Sequence, residues 1–230
     1  MSEPMLDRNY KQKVFLRGFL QGKNMFRAIK AMELTISVHK GKRRSGDVEF
    51  SHQLEVVIYL CQVLEKKVEP HEFDIIVTAA FLHDIVEDYP NKYSFDKMRD
   101  DFGSEVTEAV KLVTKSMDYD KHSEKDREKY YDAILRNPHA VFVKGADRIH
   151  NMQTYLHGST SEKLKFYMAE TEDHILPLIK SARKTYPEYY LIFISMSHLL
   201  QKQLYFLKEI LKEREKRAVY EDLDFKYLSK

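Results

Sequence analysis

Apolar residues recur at spacings of three and four along most of this chain, the period of helices with one buried face. From Asn24 to Lys40, the residues Phe26, Ile29, Met32 and Ile36 share a side, which predicts an amphipathic helix closed by His39. A second helix is expected from Ser51, a candidate N-cap, to about Lys66. Pro70 suits the first turn of the next one and Pro90 ends it, so this segment reads as a single helix of roughly five turns. Phe95 to Phe102 is a short helix stopped by Gly103, and Glu105 to Thr114 repeats the pattern with Val106, Ala109, Val110 and Val113. Asn137-Pro138 offers a cap and a first-turn proline for a helix from His139 to about His157, which Gly158 can terminate. Ser161 to Tyr186 predicts a long helix with a bend at Pro177. The last helix, about Glu188 to Lys216, is apolar all round in its first half, so it packs on the body or on another copy of the chain as a homo-oligomer contact.

Between these lie three stretches of weaker pattern. Met1 to Lys23 is a polar leader whose Phe15/Phe19 pair could dock as a short helix. Lys115 to Lys129 is a run of charge, read as a solvated face or as a cover over a site. Arg217 to Lys230 carries no readable signal. The expected organisation is therefore a leader (1–23), a helical body (24–187) and a C-terminal helical extension packed on it (188–230). Seven glycines and six prolines in 230 residues agree with an all-α fold.

Composition narrows the classes. The chain is 43% hydrophobic and 32% charged, as in a globular protein with a sizeable core, and shows no signature of disorder. A net charge of +2 gives no global argument for a nucleic-acid or membrane partner, so an anionic ligand must be met by local charge. Cys61 is the only cysteine, which excludes an internal disulfide. No stretch suits a signal core or a bilayer span, and the expected location is cytoplasmic.

The chemistry concentrates in Ala79-Ala80-Phe81-Leu82-His83-Asp84-Ile85-Val86-Glu87-Asp88. Read as one helix, it stacks Glu87 over His83 and Asp88 over Asp84, beside an apolar stripe of Ile75, Ala79, Leu82 and Val86. Ionisable groups bordering a buried surface need compensation. A divalent cation can hold an imidazole beside a carboxylate, and the second acidic pair could move protons of a coordinated water. This points to a metal-dependent hydrolase. On the helix after Asn137, Asp147, Asn151 and Thr154 form a polar line with Lys144 one turn before it, while His150 and His157 read as structural or surface residues. The basic loop Lys40-Gly41-Lys42-Arg43-Arg44-Ser45-Gly46 is either a solvated turn or a phosphate clamp, with His52 close behind it.

In order, His52, His83-Asp84 and Asp147 form the H…HD…D pattern of the HD-domain phosphohydrolases. The surroundings are more specific. Arg43-Arg44-Ser45-Gly46 through His52 resembles the RKSG…H segment of alarmone hydrolases of the RelA/SpoT type, and Phe81 to Asp88 resembles their LLHDxVED helix. Phe102-Gly103-Ser104-Glu105-Val106 with Val113-Thr114-Lys115 is similar to their FGxEV…VTK, and Lys144 to Met152 to their KLADRLHNM. The likeness runs from about Asn24 to Tyr186.

The resemblance implies an all-α HD-domain helical bundle with a metal site between helices. It implies that His52, His83, Asp84 and Asp147 ligate one divalent ion, manganese first, with zinc, iron(II) or cobalt(II) as alternatives. Glu87 and Asp88 would be the catalytic carboxylates, and Arg43, Arg44, Lys144, Asn151 and Thr154 would surround a nucleotide. The implied reaction is removal of the 3′-pyrophosphate of (p)ppGpp, giving GDP or GTP and pyrophosphate. The family's synthetase domain has no counterpart here, so the chain is similar to the small stand-alone alarmone hydrolases. Two neutral imidazoles and two carboxylates suit such a cation, and the absence of thiolate ligands argues against a closed structural zinc site. Gly145 stands where the family usually has leucine, Gln153 where it has arginine and Tyr89 where it has threonine, changes that bear on the shape of the nucleotide pocket. The competing readings are an HD phosphohydrolase for an adenosine alarmone, a deoxynucleotide or a nicotinamide dinucleotide phosphate, and a nucleotide-binding regulatory or antitoxin-like protein. The intact Glu87-Asp88 pair favours turnover.

Overall fold

Two stretches become helices buried on nearly every side. Ile75 to Leu82 and Ala140 to Ile149 are enclosed residue by residue, as a helix with no wet face must be. In the computed structural model, which describes residues 3–43, 46–156 and 159–228, with side chains described between 8 and 217, these stretches lie in α4 (Pro70–Leu82) and α9 (Pro138–Thr154). Beside them run α1 (Glu3–Gly22), α2 (Phe26–Val38) and α3 (Ser51–Leu64). Then come the single turn α5 (Ile85–Asp88), α6 (Phe95–Phe102), α7 (Ser104–Val113) and α8 (Glu124–Leu135). The chain closes with α10 (Ser161–Glu170), α11 (Leu176–Thr185) and α12 (Tyr190–Leu228). The fold is all-α; among the described residues the only extended pairing is one isolated bridge between Lys42 and Val48.

The core is a single cluster running from Leu16 in α1 to Leu211 in α12. α4 packs on α2, α3, α7 and α9, and α9 in turn packs on α3, α8 and α12. Thr35 of α2 donates its hydroxyl to the Phe81 carbonyl at 2.7 Å, satisfying one of the acceptors left open at the end of α4. No helix of the described residues is long and apolar enough to cross a membrane.

Several expectations are corrected. The helix after Pro70 is not continuous: it stops at Leu82, turns through His83 and Asp84, and resumes as α5. The Ala80 carbonyl, which an unbroken helix would pair with the Asp84 N–H, is taken by His83 Nδ1 at 2.8 Å. Ser51 is the first residue of α3 and not its cap; Phe50 holds the cap position and the Ser51 hydroxyl donates to the Val48 carbonyl at 2.7 Å. The leader forms a helix of 20 residues, with Leu16 and Leu20 fully buried, rather than a short one. The charged run from Lys115 ends in α8, capped by Ser123 and anchored by the buried Tyr130, Tyr131 and Ile134. The long helix after Ser161 is divided by a wide turn over Thr171–Ile175, where the Leu176 N–H reaches back to the Thr171 carbonyl. Pro177, lacking an N–H, follows at once. α12 starts after a tight turn at Pro187–Tyr189 and continues through the tail to Leu228. Gly158, the expected terminator after α9, and His157 lie outside the described residues.

Gly145 shows why α12 can lie on the helix that carries Asp147. A Cβ built at Gly145 would come within 2.4 Å of Met196 Cε, so the missing side chain is the space that Met196 fills. Met196 and Phe193 are fully buried, and Phe193 stacks on Phe142 at 4.9 Å between centroids. Gly145→Leu should therefore overpack this contact and lower stability by about 1–3 kcal/mol in urea unfolding. Gly145→Ala should be near neutral, because the flexible Met196 tip can move while helix propensity improves by about 1 kcal/mol. Met196→Ala should relieve the leucine variant.

Candidate functional site

The ends of two buried helices and the middle of a third meet at one point. α3 brings His52 in its first turn, the break after α4 brings His83 and Asp84, and the middle of α9 brings Asp147. Both imidazoles are essentially inaccessible to solvent. His52 Nε2 and His83 Nε2 face each other at 3.3 Å. Asp84 Oδ2 lies 3.1 Å from His83 Nε2 and 3.7 Å from His52 Nε2. His52, His83 and Asp84 form a set whose ligand atoms lie within 4.8 Å of one another. Asp147 stands at the edge of this set, its Oδ1 3.1 Å from His52 Nε2 and 3.8 Å from His83 Nε2.

The chemistry of these donors fits a divalent cation. His83 Nδ1 faces a carbonyl, which only accepts, so Nδ1 carries the hydrogen and a neutral ring turns a lone pair on Nε2 toward the centre. On the other ring, His52 Nδ1 lies 2.6 Å from His150 Nδ1; with His150 accepting, His52 Nε2 is bare as well. Burial and the neighbouring His52 push His150 down to about 3, so its ring is neutral and free to accept. Burial also lowers His52, against the pull of Asp147. For His83 burial acts downward, but the charges of Asp84 and Asp147 prevail and carry it well above the ordinary value. The two carboxylates thus attract positive charge to the point where the imidazoles converge.

Around this centre opens a cavity of about 440 Å³. Of the residues expected at a site, Arg43, His52, His83, Asp84, Glu87, Asp88, Lys144, Asp147, Asn151 and Thr154 all line it. Arg44 lies outside the described residues. Arg43 is tied to the far wall, its guanidinium donating to Asn151 Oδ1 at 3.0 Å, and Asn151 donates in turn to Asp147 Oδ1 at 2.5 Å. Lys144 Nζ meets Asp147 Oδ2 at 3.2 Å. Glu87 accepts the Lys115 backbone N–H at 3.0 Å. Asp88 is pushed up to about 7 by burial and by the charges of Asp84 and Glu87.

Other residues line the cavity beside the expected ones, Lys42 from the basic loop among them. Lys42, Lys115, Arg148 and Lys163 add cationic charge, and Tyr155 stacks on Tyr167 at 4.1 Å between centroids with planes 8° apart. Lys115 and Arg148 fall within stretches already singled out, whereas nothing local in Tyr155, Lys163 or Tyr167 marks them. His150, expected to be a structural or surface residue, is the ring partner of His52. An imidazole three residues after Asp147 on the same helix was the available signal. With this many cations over an acidic, imidazole-lined floor, the cavity suits a polyanionic ligand held against a metal ion.

A family description of the HD domain matches residues 31–173, well over half the chain and including every residue of the converging set. The chain belongs to the HD domain family. An HD domain implies a divalent metal ion, and the converging imidazoles and carboxylates are where this one can hold it. Among curated relatives, the HD domain here is 36% identical over 132 residues to a GTP pyrophosphokinase of Streptomyces coelicolor, a match covering 54% of this chain and 14% of that protein. It is 32% identical over 146 residues to the guanosine-3′,5′-bis(diphosphate) 3′-pyrophosphohydrolase of Haemophilus influenzae, covering 61% of this chain and 20% of that protein. The chain therefore spans a fifth or less of these relatives' length. The fold matches a solved structure of a metazoan ortholog of SpoT that hydrolyzes ppGpp and plays a role in starvation responses. That match has a TM-score of 0.57 and 19% identity, and covers 77% of this chain and 96% of that one.

At the back of the cavity the Arg148 guanidinium, 4% exposed, donates to Glu170 Oε2 at 2.5 Å, and the Tyr131 hydroxyl donates to Glu170 Oε1 at 3.0 Å. Burial acts to raise Glu170, but the Arg148 charge prevails and holds it at about 2, below its ordinary 4.5. A depressed carboxylate contributes stability that is present above the unfolded value and lost as pH falls through the folded one, here between about 4.5 and 2. The contribution is about 3 kcal/mol. Glu170→Gln should cost about 3–5 kcal/mol at neutral pH, because it leaves Arg148 buried without a counter-charge. It should also flatten the acid limb of stability, measured by urea unfolding at a series of pH values.

Proposed function

We propose that the protein is a metal-dependent hydrolase that removes the 3′-pyrophosphate of (p)ppGpp, yielding GDP or GTP and pyrophosphate and so lowering alarmone levels. The observation that carries this reading is the meeting of two imidazole Nε2 atoms and two carboxylates beneath a cation-lined cavity. It is supported by the activity named for the Haemophilus influenzae relative and by that of the metazoan ortholog of SpoT sharing the fold.

His52, His83, Asp84 and Asp147 would hold the ion, for which manganese is the first candidate. A divalent cation held there would supply Lewis-acid chemistry, polarising phosphate oxygens and acidifying water. Glu87 and Asp88, on the single turn beside His83-Asp84, take up the proton of the attacking water. Water oxygen bonds to the phosphorus next to the ribose 3′ oxygen, the bond between them breaks, and the departing 3′ oxygen gains a proton. Arg43 and Lys144 offset phosphate charge, and Asn151 and Thr154 face the nucleotide from α9. The role of Arg44 rests on its place in the motif beside Arg43.

Turnover should vanish after exhaustive chelation and return with manganese; activity indifferent to chelation would refute the metal role. His83→Ala should abolish metal uptake, read by elemental analysis. Glu87→Gln should keep the ion while kcat falls by about 10²–10⁴-fold. A manganese-supplemented screen of ppGpp, pppGpp, their adenosine counterparts, deoxynucleotides and NADPH, with product identification, should give pyrophosphate and GDP or GTP from the guanosine 3′-pyrophosphates. Orthophosphate release, or preference for another nucleotide, would reassign the substrate.

A further inference from the structure

Among the described residues, His39 is the one buried imidazole near the cavity that the mechanism above does not use. It closes α2, is 1% exposed, and lies beside Asp88 without lining the cavity itself. Its Nδ1 faces the Thr35 carbonyl at 3.2 Å. A carbonyl accepts, so Nδ1 carries the ring hydrogen and Nε2 is left as a lone pair. That Nε2 is sealed from solvent and has no hydrogen-bond partner, an arrangement that costs free energy in a folded protein. It points at Asp88, 3.8 Å from Oδ2. The ring cannot swing away, because it meets Tyr89 edge-on at 5.0 Å and 87°, and the Tyr89 hydroxyl is itself held by Glu49 Oε2. Burial lowers His39 below the ordinary imidazole value against the pull of Asp84, which keeps Nε2 an acceptor.

We propose that His39 is a positioning residue for Asp88: Nε2 shares one hydrogen with Asp88 Oδ2 and thereby turns the other carboxyl oxygen, Oδ1, into the cavity. This deepens the hydrolase reading and rests on it for Asp88's part in proton transfer. A separation of 3.8 Å is too short for a bridging water and closes to a direct hydrogen bond by a small rotation of the Asp88 side chain. The sealed nitrogen lacks the hydrogen that a protonated Asp88 can supply, and Asp88, 54% exposed, has room to make that rotation.

The test uses the full chain. His39→Phe should lower kcat by about tenfold or more with KM and manganese stoichiometry unchanged, and His39→Gln, whose amide reaches the Nε2 position, should restore part of the loss. In an Asp88→Asn background, His39→Phe should have no further effect, because a residue acting through Asp88 has nothing left to act on. An unchanged kcat, or a loss that adds fully to that of Asp88→Asn, overturns the inference while leaving the hydrolase reading intact. A second readout does not need turnover. In ¹⁵N-labelled metal-free protein, His39 should appear as the Nδ1–H tautomer with an Nε2 resonance that moves in Asp88→Asn. A resonance indifferent to that substitution overturns the pairing, even where His39→Phe fails to fold or none of the nucleotides is cleaved.

Discussion

His52 Nε2 and His83 Nε2 stand 3.3 Å apart with their lone pairs directed at the same space, a contact that two neutral rings cannot stabilise between themselves. It persists because both rings are fixed from behind, His83 by the Ala80 carbonyl and His52 by His150, and because the helices carrying them are buried. Positive charge has to occupy that space. Without a cation, Asp84 and Asp147 draw a proton onto His83; a divalent ion satisfies the same demand with more charge and a better match to four donors. The break after Leu82 belongs to the same constraint. An unbroken helix would have spent the Ala80 carbonyl on its own backbone and left His83 free to turn.

The second constraint is the cost of charge inside α9. Lys144, Asp147 and Arg148 lie in a helix buried over nearly its whole length. Each has a partner: Lys144 and Asp147 meet across one turn, and Arg148 crosses to Glu170. Glu170 is the last residue of α10, immediately before the widened turn at Thr171–Ile175, so the irregularity near Pro177 falls next to the group that neutralises Arg148. With Arg148 paired at the back, Arg43, Lys115 and Lys163 make the open face of the cavity cationic. On the outer side of α9, Gly145 leaves the surface flat enough for Met196 to seat α12.

Much of this was legible in the sequence because the determining signals are local. The periodicity at Phe26–Ile36, the Asn137 cap and the Gly103 stop are decided by a residue and its near neighbours, and those helices lie where the pattern puts them to within about three residues. The four donors were visible as a set because they sit in stretches long enough to be recognised. What the pattern could not carry is long-range. The interruption at His83-Asp84 depends on where an imidazole hydrogen goes, and α8 is anchored by buried tyrosines just beyond a run that looks solvated. His150 looked incidental because its role is written across 98 residues, in a ring contact with His52. Tyr155 and Tyr167 become a stacked pair only when α10 folds against the end of α9.

The same distinction separates Glu87 from Asp88. Adjacent acids on one helical turn look equivalent in a sequence, yet they point to different neighbours. Glu87 is bound from the open side by the Lys115 backbone N–H, and so takes its orientation from the loop that follows α7. Asp88 receives no such donor; its surroundings are the Asp84 and Glu87 charges, which raise it, and the bare nitrogen of His39 behind it. A hydrogen-bond donor fixes the orientation of one carboxylate, whereas a carboxyl group facing an acceptor gains by holding a hydrogen. The two acids therefore differ in what fixes them, a difference that adjacency in the sequence does not show. The division follows from helix geometry, since successive residues on the single turn of α5 point about 100° apart, and here one meets the Lys115 N–H and the other His39.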